Sequence, residues 1–88
     1  MKAVLITWID SKSGPPGWEY VNDLEPLEPI ICRSIGFLVD ETENHKTLVS
    51  TMGGDQCLGR ITIPNQSIIG VKLITTWDQD QKAVLGPL

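Results

Sequence analysis

Arg33 and Arg60 each interrupt an apolar stretch, Ile30-Ile31-Cys32-Arg33-Ser34-Ile35 in one case and Cys57-Leu58-Gly59-Arg60-Ile61 in the other. A guanidinium in such a setting must reach water, a carboxylate or an anionic ligand, because an unpaired buried cation is strongly unfavourable. Two chemistries follow. One is an ion pair with one of the eleven acidic residues, within the chain or across a subunit boundary. The other is a clamp on a phosphate or carboxylate, whose geometry the planar fork of a guanidinium matches.

The remaining candidates carry less. His45 is the single histidine and stands in the polar stretch Asp40-Glu41-Thr42-Glu43-Asn44-His45-Lys46, which reads as a solvated turn with no cysteine, serine or second histidine beside it. Asp40, Glu41 and Glu43 fit no EF-hand spacing, so no metal site is expected. Cys57 and Arg60 would point to opposite faces of a strand, and Cys32 and Cys57 read as unbridged, mostly buried thiols. Trp18, in Gly14-Pro15-Pro16-Gly17-Trp18-Glu19-Tyr20, is either a stacking platform for a base or a plug that folds its loop onto the domain, and the plug is the plainer of the two. A glycine-rich phosphate loop, a nucleophile elbow and paired carboxylates at acid/base spacing are all absent from the sequence, so no catalytic residue and no cofactor is expected.

What must position these residues is small. The 88 residues suffice for one core, since a chain of this size buries only about 60–65% of its unfolded surface. At 41% hydrophobic and 20% charged, the chain is too apolar for a disordered segment. It also lacks the roughly 20-residue apolar run of a membrane span, and its apolar start, broken by Trp8 and Asp10, reads as a strand and not a secretion signal. A soluble cytoplasmic domain is the expectation. A net charge of −4 with seven scattered basic residues argues against coating a DNA duplex, although a ring of subunits concentrates even a single arginine around its axis.

The elements expected are all β. Alternation over residues 2–9 predicts a first strand, and residues 10–28 predict a long loop rich in turn-forming residues. Residues 30–39 predict a second strand with a bend or bulge at Gly36, and residues 47–52 a third. Gly53-Gly54-Asp55-Gln56 supplies a reversal into a fourth strand at 57–63. Pro64-Asn65-Gln66-Ser67 suits one 3₁₀ turn before a fifth strand at 68–77, which leaves 78–88 as a poorly ordered tail outside the single domain of residues 1–77. The second and fifth strands are apolar on both registers. Something must cover the second face, and a homo-oligomer joined through strand edges would do so, as a cyclic ring or, failing that, a dimer.

This order of elements resembles the Sm-like family of small five-stranded barrels, over about residues 30–77. Gly36 followed by Asp40 and Asn44 around a turn is similar to the first family motif, with one extra residue between Asp40 and Asn44. The Arg-Gly step of the second motif is replaced by Ile61-Thr62-Ile63-Pro64-Asn65-Gln66-Ser67-Ile68, a pattern that resembles divergent members of bacterial and phage origin. The resemblance implies a phage-type ring protein in a host cytoplasm that binds a nucleotide or short single-stranded RNA at subunit interfaces; the candidate binding residues read from the sequence are Asp40, Asn44, Arg33, Arg60 and Asn65, with Trp18 beside the arginines for a trapped nucleotide. It favours the clamp for Arg60, beside the turn where the family places part of its binding loop. Arg33, deeper in the second strand, favours the ion pair. Two other classes stand beside this one: a trap that sequesters a signalling nucleotide to blunt host defence, and an adaptor that binds another protein through its strand edges.

Overall fold

The computed structural model describes residues 1–76, an all-β chain. Trp77 and the tail expected at 78–88 lie outside the described residues. Five strands form one antiparallel sheet: β1 (Lys2–Asp10), β2 (Ile30–Glu41), β3 (His45–Val49), β6 (Ile61–Pro64) and β7 (Ile68–Thr76). Their order across the sheet is β6-β3-β2-β1-β7, so the last strand lies against the first and β6 and β7 are the edges. A separate two-stranded ribbon joins β4 (Thr51–Gly53) to β5 (Gln56–Leu58). Among the described residues no helix is long and apolar enough to cross a membrane.

The third and fourth strands expected from the sequence are thus each broken in two. The break falls where Ser50 meets Gly59. The amide and the hydroxyl of Ser50 both donate to the carbonyl of Leu58, each at 3.0 Å. Gly59 has a φ of +76°, and a Cβ there would collide with the Ser50 side chain. Only glycine satisfies both conditions, and the long hairpin turns a corner at that point. Beyond the corner, Gly54 at φ +60° makes the tight reversal between β4 and β5.

The main core cluster lies on one face of the sheet, while Ala3 and Val49, the register partners of Phe37, are buried on the other. Val4 and Ile6 of β1, Leu48 of β3 and Ile63 of β6 are buried, with Trp8, Leu38 and Ile68 packed against them. Gly36 faces them from β2 as the register partner of Val4, and a Cβ at this position would come within 2.7 Å of the Val49 carbonyl. The glycine therefore allows close approach of β3 at a bend. The bulge itself falls three residues later, at Val39, between the pairs Leu38↔Leu48 and Asp40↔Thr47. Trp8 reaches from the core edge to donate its indole N–H to the Ser34 hydroxyl at 3.0 Å. At 65–67 the expected 3₁₀ turn forms, as Asn65–Ser67.

Two expectations about exposure are corrected. Trp18 does not plug the described domain: at 104% relative exposure it packs against none of the described residues, and every residue of 11–29 is exposed around a short 3₁₀ turn, Val21–Asp23. Proline pairs at 15–16 and at 26 and 29 keep this segment from forming a helix or strand that would pack. Cys57, on the outlying ribbon, is exposed, while Cys32 is half-buried; both are free thiols. Apolar side chains of the expected second and fifth strands remain open in the single chain, with Ile31, Ile35, Ile69 and Leu73 all exposed.

Candidate ligand site

On the face opposite the core, Asp40, Thr47 and Thr62 stand in one row across three adjacent strands, through the pairs Asp40↔Thr47 and Thr47↔Thr62. The Val39 bulge creates this row. Leu38 pairs with core-facing Leu48, so regular alternation would return Asp40 to the core side; one unpaired residue turns it to the outer face instead. Thr47 is the buried polar side chain of the described residues, and its hydroxyl shares a 2.8 Å hydrogen bond with that of Thr62.

His45 opens β3 two residues before Thr47, on the same face. Its Nε2–H donates to Oδ2 of Asp40 at 3.2 Å, across the hairpin. The turn is tied by Thr42, whose amide donates to the His45 carbonyl at 2.9 Å and whose hydroxyl accepts from the amides of Asn44 and His45, each at 3.1 Å. His45 thus lines an open pocket at the start of β3 while remaining partly exposed to water. Arg60, between the Gly59 corner and β6, completes the lining. With Val39, these five polar residues enclose an open pocket of about 400 Å³.

Other predicted residues are distributed differently. Asn44 and Asn65 are brought together, since the Asn65 amide donates to the Asn44 carbonyl at 2.9 Å. The Asn65 side chain is consumed, however: its Oδ1 accepts from Lys46 Nζ at 2.9 Å and its Nδ2 donates to the Thr42 carbonyl at 3.1 Å. It pins the 3₁₀ turn to the β2–β3 turn, and Lys46 is further paired with Glu41 at 3.6 Å. Arg33 lies seven residues before Asp40 along β2, about 23 Å away at roughly 3.3 Å per residue, opposite Thr7. It is exposed, and among the described residues it forms no ion pair, so of the two forms expected for its ion pair the intramolecular one is not present there. Arg60 likewise is exposed and forms no ion pair among the described residues. Trp18 stands apart on the 11–29 segment.

The pocket presents a guanidinium without an ion pair among the described residues, two hydroxyls, an imidazole and a carboxylate. Guanidinium and hydroxyl donors suit phosphate oxygens, and the Asp40–His45 pair suits the donors and acceptors of a sugar or base edge. Among the described residues no hydroxyl or thiol is bonded to the imidazole, so no nucleophile–base pair is assembled. No protein-family model, curated protein or solved structure matches the chain.

Proposed function

We propose that this chain is a non-enzymatic binding module of Sm-like type, acting as a homo-oligomer that holds a nucleotide or a short single-stranded RNA in the pocket around Arg60. The observation that carries the reading is the convergence of Arg60, without an ion pair among the described residues, with the Asp40–Thr47–Thr62 row and His45 in one concavity. Arg60 takes the phosphate, and the carboxylate, imidazole and hydroxyls read the sugar or base. Support for the Sm-like architecture comes from the last strand lying beside the first, the single 3₁₀ turn before it and the close approach at Gly36. The five-stranded sheet of the described residues is open, with β6 and β7 as its edges, and the closed Sm-like barrel is part of this proposal.

The same site favours a small nucleotide over a long polymer. Net charge is −4, and Lys46, next to His45 and Thr47 on β3, is engaged with Glu41 and Asn65. Among the described residues, Arg60 is the one lysine or arginine lining the pocket, so no second cation borders it to hold a successive phosphate. A nucleotide trap in the host cytoplasm, of phage origin, is the form of the function that this balance suits. The adaptor alternative expects paired arginines, and Arg33 and Arg60 have no such pairing among the described residues.

Calorimetric titration with nucleoside monophosphates, cyclic dinucleotides and a hexanucleotide RNA tests the reading. Binding of at least one phosphate-bearing probe is expected, with the small probes binding at least as well as the hexanucleotide. Absence of binding at millimolar concentration across the panel overturns it.

A further inference from the structure

The 11–29 segment and the β1–β2–β7 end of the outer sheet face are complementary surfaces that the single chain leaves apart. Residues 11–29 form the long connection of the β1–β2 hairpin, anchored at both ends by the Asp10↔Ile30 pair. The segment presents Trp18, Tyr20, Val21, Leu24 and Leu27, all exposed. Its charge is acidic, with Glu19, Asp23, Glu25 and Glu28 against Lys12 alone. It curls on itself, since the backbone of Gly14 approaches Glu19 and Leu27, and it does not lie on its own sheet.

The face is the converse. Alternation and register place Ile9, Ile31 and Ile35 on it together with Arg33 and Lys72, through the pairs Ile9↔Ile31, Thr7↔Arg33, Leu5↔Ile35 and Leu5↔Lys72. Ile31 and Ile35 are 57% and 63% exposed. No aspartate or glutamate stands at the register positions of this stretch of the face. An apolar floor with two cations thus matches, in one molecule, an arm with apolar side chains and four carboxylates.

We infer that residues 11–29 of one copy dock on the Ile9–Ile31–Ile35 face of a second copy, with Arg33 and Lys72 receiving the arm's carboxylates. Burial of an aromatic and aliphatic cluster supplies the attraction, and charge fixes the orientation. Because every copy carries one arm and one face, a two-fold pair satisfies both at once, whereas head-to-tail docking builds a ring. The role of Arg33 is then an intersubunit ion pair. This interface is distinct from the Arg60 pocket and from the β6 and β7 edges.

Photocrosslinking tests it on the full chain. Tyr20 is replaced by p-benzoyl-phenylalanine, and ordinary copies are mixed with ¹⁵N-labelled ones before irradiation. The expected products carry mixed isotope masses and join Tyr20 to peptides containing Ile31–Ile35 or Lys72. Charge reversal in Arg33→Glu/Lys72→Glu should reduce their yield at least tenfold, with the fold intact by circular dichroism. Products of single isotope mass mean that the arm binds its own sheet, and products outside the face, or none, mean that it binds elsewhere; either overturns the inference. If the chain remains oligomeric in those cases, the reading of the previous subsection survives. A monomer at all concentrations removes both.

Discussion

The Nε2–H of His45 donates to the carboxylate of Asp40 at 3.2 Å, although regular alternation along β2 would have turned Asp40 away from the face on which His45 stands. The Val39 bulge makes the contact possible, and both partners remain partly open to water. Such an exposed pair contributes little to stability, of order 0–1 kcal/mol. His45→Ala is therefore expected to leave the unfolding midpoint nearly unchanged while weakening nucleotide binding. Equal losses of stability and affinity, read by denaturation and calorimetry, would reassign the pair to a structural role.

Asn65 behaves in the opposite way. Its side chain makes two hydrogen bonds, to Lys46 and to the Thr42 carbonyl, that tie two turns together. Asn65→Ala should cost about 1–2 kcal/mol in urea unfolding, the net worth of one or two such bonds. Binding by the folded variant should fall only modestly; complete loss with unchanged stability would make Asn65 a ligand contact after all.

Gly36→Ala places a Cβ within 2.7 Å of the Val49 carbonyl, a backbone atom that cannot swing aside. The expected loss is about 1–3 kcal/mol, as for overpacking elsewhere in protein cores. A variant as stable as the parent would mean that β2 and β3 separate here at little cost.

Arg33→Ala separates the two roles weighed for that residue. Exposed and without an ion pair among the described residues, Arg33 should be replaceable with a stability change within about 0.5 kcal/mol. Self-association in sedimentation equilibrium should weaken. A loss of several kcal/mol in unfolding would instead point to a buried carboxylate partner.

The strands were legible because β-branched and aliphatic residues cluster between clear turn signals: Gly53-Gly54-Asp55-Gln56 and Pro64-Asn65-Gln66-Ser67 fall where a reversal and a 3₁₀ turn are found. The corner at Ser50 and Gly59 was not, since Gly59 reads as one small residue within an apolar run and its positive φ depends on a partner nine residues earlier. The Val39 bulge is a property of pairing between strands, and no residue type announces it. That bulge decided the site. Without it Asp40 and Arg60 could be singled out, but not the row with Thr47 and Thr62 or the recruitment of His45. Counting back from the turn was the available signal: if Glu41 pairs with Lys46, as it does, His45 and Thr47 share a strand face that borders Asp40. Trp18 failed for a different reason, because a segment with no regular structure carries no periodicity from which to infer what it packs against.

Native mass spectrometry of the parent and of Arg60→Ala, each titrated with the tightest-binding nucleotide of the panel, bears most directly on the proposed function. The account predicts a homo-oligomer that takes up one nucleotide per subunit, and an Arg60→Ala variant of the same subunit number whose affinity is lower by about 1.5–3 kcal/mol, the range for hydrogen bonds to charged groups. A parent found only as a 9.7 kDa monomer, or a variant that loads nucleotide as well as the parent, would contradict it.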